Sequence, residues 1–226
     1  MARQSYQDRL EGLREDVLYM SEVVLERLRM GLDALEHKDE ALAREVIEGD
    51  AEINQLYLDL EGECVDLLAL QQPVAGDLRL IAATFKILTD LERVGDLATN
   101  LGEYTLEAHR DVFPEVDIQS LGTFAAEMIE DAMEAYADEN IEACFELAER
   151  DDRMDERCES ASATVVRDLI EREVDAETAE EDIERLMKDV SRLLLTIRDL
   201  ERVGDHAVNI AARTLYMVES NDALIY

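Results

Sequence analysis

The sequence predicts an all-α protein made of two tandem, pseudo-symmetric, antiparallel three-helix bundles with six long helices. Helix-forming residues dominate the 226-residue chain, which contains only two prolines and nine glycines. Apolar residues recur at steps of three and four along nearly the whole chain, the spacing of amphipathic helices. The segment Asp-Leu-Glu-Arg-Val-Gly-Asp at 90–96 returns unchanged at 199–205. We therefore predict two repeated units, 1–112 and 113–226.

The first unit is predicted to contain three helices joined by short connections. An apolar stripe places the first helix at about 6–36. Asp39 is suited to cap a second helix, which reaches the terminating segment Gln-Gln-Pro at 71–73. A third helix begins near Asp77 and extends towards residue 109. The following segment, 110–115, is the predicted linker between the units.

The second unit is predicted to repeat this order. Its first helix follows Asp117 or Ser120 and ends in a turn over 137–140. Asn140 caps the next helix, which covers about 141–172. Asp175 caps the last helix, which continues to about residue 218. Short loops make neighbouring helices antiparallel, as in helical bundles.

Charge excludes several classes of partner. The chain has 56 acidic and 22 basic residues, a formal net charge of -34. Such a surface repels nucleic acid and anionic membranes, so we expect no nucleic acid and no direct membrane insertion. Self-repulsion weakens in molar salt, where the Debye length is about 3 Å, so we predict a salt-adapted cytoplasm, as in a halophilic archaeon. The first residues lack the apolar segment of a secretory signal, which also favours a cytoplasmic location.

Acidic pairs inside the repeat are the candidate functional residues. Glu92 with Asp96, and Glu201 with Asp205, lie one helical turn apart and extend an apolar stripe. Like charges at this spacing destabilise a helix, as does the glycine that lies inside both pairs. Because the same local rules are broken twice at the same place, we predict a functional site. We expect the glycine to let the preceding helix approach.

That preceding helix is predicted to complete the site in each unit. It carries Asp50 with Asn54 in the first unit and Asp151 with Asp155 in the second. Clustered carboxylates without thiolates suit hard cations, such as Mg²⁺, Ca²⁺, Mn²⁺ or ferric iron. Auxiliary ligands are predicted four residues beyond each repeated pair, at Asn100 and Asn209.

Alternatives to a metal site remain open. In a non-enzymatic helical scaffold, the acidic pairs set helix register without metal, and Arg93 and Arg202 pair with carboxylates of other helices. A carboxylate-bridged metal oxidase is the other alternative, but the Glu-x-x-His step of ferritin-like proteins is missing. Since Walker A, GxGxxG and Ser-His-Asp patterns are also missing, we expect no enzyme. His206 is turned about 100° from its neighbour Asp205, so we do not expect it to bind metal.

Three motifs together resemble the PhoU family, of a haloarchaeal type. They are the doubled seven-residue segment, Val-Ile-Glu-Gly-Asp at 46–50, and Gln-Pro-Val-Ala-Gly-Asp-Leu-Arg at 72–79. The resemblance covers about 6–218. It implies a cytoplasmic, usually homodimeric adaptor that acts on the ATPase of the phosphate ABC transporter, and in many bacteria on a sensor histidine kinase. It further implies negative regulation of the phosphate-starvation response when phosphate is plentiful.

The resemblance also implies bound metal, with an iron cluster, Mn, Mg or Zn as the expected cofactor. The implied ligands are the Glu/Asp-x-x-x-Asp pairs of the repeat, supported by acidic residues of the preceding helix: Glu92, Asp96, Glu201, Asp205, Asp50, Asp151 and Asp155. Asn54 departs from this acidic pattern and removes one charge from the first-unit site. The second unit also lacks the Pro-x-x-x-Asp-Leu-Arg helix start, so equivalence of the two sites is not implied.

Overall fold

The computed structural model describes residues 2–70, 74–107, 116–171 and 180–225. These residues form six helices: α1 Ala2–His37, α2 Glu40–Leu70, α3 Ala75–Glu107, α4 Ile118–Asp138, α5 Ile141–Glu171 and α6 Glu180–Glu219. The predicted all-α fold class is confirmed, since the described ranges contain helices and no strand. No helix in these ranges combines the length and apolarity needed to cross a membrane.

Two tight turns of the same design reverse the chain in the two halves. Lys38 and Glu139 each adopt a left-handed backbone conformation, with φ 54°, and so end α1 and α4. The Asp39 carboxylate then accepts hydrogen bonds from two backbone amides of α2, at 2.9 and 3.1 Å. The Asn140 side-chain oxygen accepts one from a backbone amide of α5 at 3.2 Å. Both predicted caps are therefore confirmed, and each turn makes its two helices antiparallel.

Helix boundaries follow the capping signals more closely than the apolar spacing. Asp117 caps α4 by accepting a hydrogen bond from the Ser120 backbone amide at 2.9 Å, as predicted. The predicted turn over 137–140 is shorter than expected, because α4 continues through its first two residues. Helices α1 and α3 begin before the predicted positions, because apolar spacing marks where a helix packs rather than where its first turn forms. The predicted 71–73 terminator, 110–115 linker, Asp175 cap and 112/113 unit boundary lie outside the described residues.

One continuous hydrophobic core connects the two halves. Helices α1, α2 and α3 pack on one another, as do α4, α5 and α6, and the halves meet where α3 contacts α6 and α1 contacts α4. Buried apolar side chains of all six helices belong to a single cluster. Within the repeated segment, Leu91 and Val94 of α3 and their counterparts Leu200 and Val203 of α6 are completely buried. The repeated segments therefore lie at the centre of the molecule.

Candidate functional site

Glycines of the repeat lie where two helices come closest. A Cβ atom added to Gly95 would lie 2.9 Å from Cδ1 of Ile53 on α2. One added to Gly204 would lie 3.2 Å from Cγ of Met154 on α5, the residue equivalent to Ile53. The expectation that glycine lets the preceding helix approach is confirmed. This approach brings the acidic residues of α2 towards those of α3, and those of α5 towards those of α6.

Three carboxylates converge in the second half. Oxygen atoms of Asp151 and Asp155 on α5 and Asp205 on α6 all lie within 4.8 Å of one another. Oδ1 of Asp151 is buried and has no hydrogen-bond partner among the described residues. Burial, and then the charges of Asp205 and Asp155, raise the pKa of Asp151 to about 6. These three residues, which we call the second-half cluster, bring three carboxylates together, and Arg202 and His206 lower the pKa of Asp205 against the larger raising effects.

The second-half cluster fits a hard cation on three grounds. Its oxygen atoms converge, one of them lacks a partner, and the ligands are carboxylates, which such cations prefer. The missing Cβ of Gly204 leaves room beside Asp151, since that atom would lie 3.4 Å from Oδ1. Glu201, a predicted ligand, stands next to this set rather than in it. Its pKa is raised by burial and then by the charges of Asp155 and Asp205.

The equivalent residues of the first half are arranged differently. Asp50 accepts hydrogen bonds at both oxygens, from the side-chain amide of Asn54 at 2.7 Å and from the hydroxyl of Thr99 at 3.4 Å. Burial, and then the charge of Asp96, raise the pKa of Glu92. Burial, and then the charge of Asp50, raise the pKa of Asp96. These five residues form the first-half cluster. Among the described residues, only the second half shows three converging carboxylates.

The predicted auxiliary ligands have a different position. The side-chain amide of Asn100 donates to Asp199 at 3.0 Å, and that of Asn209 donates to Asp90 at 3.3 Å. Both contacts join α3 to α6, so these asparagines belong to the interface between the halves, and their prediction as metal ligands is wrong. The reason is rotation: one more helical turn carries the side chain towards the opposite half instead of the preceding helix.

Sequence reasoning overlooked the first residue of each repeat. Asp90 and Asp199 are 7% and 0% exposed, and both accept hydrogen bonds across the interface. Asp199 also accepts the hydroxyl of Tyr104 at 2.8 Å, and Asp90 lies 2.9 Å from Nδ1 of His206. The sequence did contain a signal for this role, because each aspartate lies within an apolar stripe, and a buried charge needs a hydrogen-bonding partner.

In the scaffold alternative, the arginines of the repeat pair with carboxylates of other helices and so set the helix register. In the structure, Arg202 is paired with Asp199 of its own helix, with 3.8 Å between the charged atoms. Arg93 acts on Glu92 and Asp96 of its own helix, where its charge lowers their pKa against the larger raising effects. The charge of Arg202 also lowers the pKa of Asp96 on α3, so this arginine acts on another helix as well. Contacts of the two aspartates that begin the repeats fix the register between α3 and α6.

Similarity to known proteins follows the internal duplication. The PhoU domain model matches residues 17–105 and again 118–214, one range in each half. This chain belongs to the PhoU family. It is 33% identical over 216 residues to the phosphate-specific transport system accessory protein PhoU homolog 1 of Methanothermobacter thermautotrophicus, covering 94% of each chain. The resemblance drawn from the repeated motif is thus confirmed.

Solved PhoU structures share the fold over their whole length. The crystal structure of PhoU from Pseudomonas aeruginosa has a TM-score of 0.86 at 30% identity, covering 96% of this chain and 100% of that one. The phosphate transport system regulatory protein PhoU from Streptococcus pneumoniae has a TM-score of 0.83 at 25% identity, covering 96% and 98%. The six-helix arrangement described here is therefore a PhoU arrangement.

Proposed function

We propose that this chain is a cytoplasmic accessory protein of a phosphate ABC transporter, and that it lowers uptake and represses the starvation response when phosphate is plentiful. The observation that carries the proposal is the PhoU match in both halves, together with similarity to PhoU structures over nearly the whole chain. Relatives are named as accessory or regulatory proteins of phosphate transport. The role is that of an adaptor, which acts by binding and performs no reaction.

The surface of the chain favours an electrostatic mode of binding. A net charge of -34 gives a negative field that attracts a basic surface and repels an acidic one, over the short range of about 3 Å that remains in molar salt. The proposed partner surface is a basic patch on the cytoplasmic ATPase subunit of the transporter, with a sensor histidine kinase as the second partner class. Homodimerisation, implied by the family resemblance, would present this surface twice.

A hard cation is the proposed cofactor of the adaptor. Asp151, Asp155 and Asp205 would hold it, and Glu201, whose pKa the charges of Asp155 and Asp205 raise, lies near them. Oxygen-only ligands favour Mg²⁺, Mn²⁺ or iron over Zn²⁺, which prefers nitrogen and sulfur. When bound, the cation would neutralise the repulsion within the cluster and tie α5 to α6.

Phosphate uptake in a deletion strain tests the adaptor role. With labelled phosphate in replete medium, deletion should increase uptake and expression of the transporter, and the wild-type gene should restore both. Uptake that is unchanged by deletion in both rich and poor medium would reject the proposal. Co-purification with a tagged ATPase subunit, at low and high KCl, tests the partner, since an electrostatic complex weakens as salt rises.

A helical scaffold is the second candidate function. It is favoured by the contacts of Asp90 with His206 and of Asp199 with Tyr104, which fix helix register without metal. Elemental analysis of protein purified without chelator, beside an Asp151→Asn/Asp205→Asn variant that removes two of the proposed ligands, distinguishes the candidates. Metal in the wild type that falls in the variant supports the metal-binding adaptor. Wild type without metal, combined with unchanged phosphate uptake on deletion, supports the scaffold.

A further inference from the structure

Each half exposes large apolar side chains at the end where its last two helices join. In the first half, where α2 leads into α3, they are Val65, Leu68, Val74 and Leu78. In the second half, where α5 leads into α6, they are Val166, Ile170, Ile183 and Met187. We call these two sets the first-half tip patch and the second-half tip patch.

Three positions of the tip patches correspond in the duplicated fold. Helices α2 and α5 correspond at a distance of 101 residues, as their caps Asp39 and Asn140 show, and α3 and α6 correspond at 109 residues, as the repeated segment shows. The corresponding pairs are Val65 with Val166, Val74 with Ile183, and Leu78 with Met187. All six are between 37% and 56% exposed. Single exposed apolar residues are common, but the same three in both halves indicate one kind of surface that is displayed twice.

The first-half tip patch lies along the groove between α2 and α3. The side chains of Tyr57 on α2 and Thr89 on α3 are hydrogen bonded to each other across this groove. About eleven residues make three helical turns, so Leu68 and Leu78 lie three turns from this contact on the same helix faces. Val65 is one turn before Leu68 on its helix. Both walls of the groove are therefore apolar where the two helices join.

The second-half tip patch has the same construction. Sγ of Cys158 on α5 lies 3.8 Å from the backbone oxygen of Ile197 on α6, so the two helices are adjacent there. About three turns further along, towards the end where the helices join, Ile170 and Met187 reach the same level. Both helices of this half therefore contribute to one apolar surface.

Small residues lie one turn before the valine of each tip patch. In the second half, Ala163 precedes Val166, and both line a shallow, open depression that continues to Ile170. In the first half, Gly62 takes the place of Ala163, and a Cβ atom added to it would meet no atom within 4 Å among the described residues. Each patch therefore has room beside its valine for a side chain of another protein.

Acidic residues outnumber basic ones around both tip patches. Segments 61–70 and 74–80 of the first half contain four acidic residues and one basic residue, and segments 162–171 and 181–188 of the second half contain five and three. Of these basic residues, Arg185 is already paired with Glu181 and Asp182, at 3.6 and 3.4 Å. A second copy of this chain would bring the same negative charge into the contact, which is unfavourable. The complementary surface is apolar, with lysine and arginine at its rim.

The two tip patches lie at opposite ends of the molecule. Helices α3 and α6 are antiparallel, since Arg79 at the start of α3 donates to the backbone oxygen of Met217, and Arg192 in the first half of α6 lies 4.0 Å from Glu107. Helix α3 has 33 residues, which at about 1.5 Å per residue separate the patches by about 50 Å. One partner covers both patches only if it offers the same element twice at this separation, as the two subunits of a symmetric dimer do.

We propose that the two tip patches are docking sites for a homodimeric protein, each of whose subunits presents an apolar segment bordered by lysine and arginine. The inference rests on the proposed function, within which the partner is the pair of ATPase subunits of the phosphate transporter. One chain bridges the two subunits and holds one with each half. Holding both subunits limits their movement relative to each other, which is a physical route to lower uptake.

Serine substitutions in one tip patch at a time test the inference on the full-length protein. The variants are Val65→Ser/Leu78→Ser and Val166→Ser/Met187→Ser, and biolayer interferometry would measure their binding to the purified transporter complex at constant KCl. Either variant should weaken binding at least tenfold, because bridging makes the second contact intramolecular, and combining the two should abolish it. The matched control is Tyr19→Ser/Phe145→Ser, which removes two similarly exposed side chains outside the tip patches and should bind like wild type.

Stoichiometry and mass distinguish bridging from other uses of the tip patches. Native mass spectrometry of the complex should show one chain for each pair of ATPase subunits, and two chains for each pair would overturn the bridging arrangement. Light scattering of the chain alone tests a second copy as the occupant. If the tip variants lower its mass but bind the transporter like wild type, the patches serve self-assembly and the inference is wrong. A lower melting temperature with unchanged binding would assign the patches to packing within the chain and would also overturn it.

Phosphate uptake separates this inference from the proposed function. In the deletion strain, the wild-type gene and the control variant should restore low uptake in replete medium, and the tip variants should not. If the tip variants restore it fully, the adaptor role stands and the inference is overturned. If deletion leaves uptake unchanged and the wild type does not bind the transporter, both the adaptor role and the inference are rejected.

Discussion

The hydrogen bond between Tyr104 and Asp199 gives the strongest test of the interface between the halves. Asp199 is completely buried and accepts the Tyr104 hydroxyl at 2.8 Å and the Asn100 amide at 3.0 Å. Burial, and then its hydrogen bond to Asp199, raise the pKa of Tyr104, so the hydroxyl stays protonated as a donor. Tyr104→Phe keeps the ring and removes this donor. Since hydrogen bonds to charged groups contribute about 1.5–3 kcal/mol, and Tyr104 is only half-buried, we expect a loss of about 1.5 kcal/mol in the free energy of unfolding.

Urea unfolding, followed by helical circular dichroism at constant KCl, measures this loss. A double-mutant cycle with Asp199→Asn should give a coupling energy of about 1 kcal/mol, because the two residues share one contact. Tyr57→Phe is the control: its hydroxyl donates to the partly exposed Glu61 of the same helix at 3.1 Å and contacts Thr89 of α3, and its loss should cost less than about 1 kcal/mol. The reasoning is refuted if Tyr104→Phe behaves like this control, or if the two substitutions are additive.

Three further predictions concern pH, salt and close packing. The folded-state pKa of Asp151 is raised to about 6, so between about pH 6 and 4 the folded chain binds a proton that the unfolded chain does not. Metal-free protein should therefore gain stability from this group as pH falls through this range, by about 1 kcal/mol after screening. Asp151→Asn should reduce the gain in pH-dependent urea unfolding, and the part that remains comes from the other carboxyls with raised pKa. The melting temperature should rise by several degrees when KCl is raised from about 0.1 M to about 2 M, because salt screens the repulsion within a chain of net charge -34. A melting temperature that does not depend on KCl would contradict the salt-adapted interpretation. In Gly102→Ala the new Cβ would lie 2.9 Å from the backbone oxygen of Ala43, so this substitution should destabilise the protein by about 1–3 kcal/mol. In Gly204→Ala the new Cβ would meet the flexible Met154 side chain at 3.2 Å, so this substitution should be nearly neutral. Thermal melts with EDTA compare the two variants.

Much of the fold was predictable because it depends on local signals. The caps at Asp39, Asp117 and Asn140 follow from side chains that bond the first free amides of a helix, a rule that needs no tertiary information. The approximate extent of each helix follows from apolar spacing, because the spacing continues as long as the helix has a core to face, although the exact ends do not. The close approach at Gly95 was predictable because glycine destabilises the middle of a helix, and a neighbouring helix that packs against the missing Cβ offsets this cost.

The roles of individual acidic residues were harder to predict. Spacing of four residues places Asn100 on the same face as Asp96, yet a modest rotation along the helix directs the two towards different neighbours. Spacing also treats Asp50 and Asp151 alike, although a threonine and a valine on the facing helix decide whether each has a partner. Both distinctions depend on which helix packs opposite, and this information lies in the tertiary arrangement.

The interface between the halves gives a physical reason for the same aspartate at the start of both repeated segments. Asn100 donates to Asp199, and its counterpart Asn209 donates to Asp90, the counterpart of Asp199. Such reciprocal contacts define an isologous interface, in which each copy supplies the donor for the acceptor of the other. A change at either buried aspartate removes the acceptor of the asparagine of the opposite half, so the same contact in both directions favours the same residue type.

Each acidic cluster, by contrast, is built from two helices of the same half. A change from aspartate to asparagine in the first half therefore has no partner in the second half that must change with it. Loss of a donor at Val208 likewise leaves Thr99 and its contact with Asp50 intact. The fold thus couples the halves through α3 and α6 and leaves the clusters independent. Duplication in this chain consequently fixes how the two halves assemble, while the residues of the two acidic clusters are free to differ.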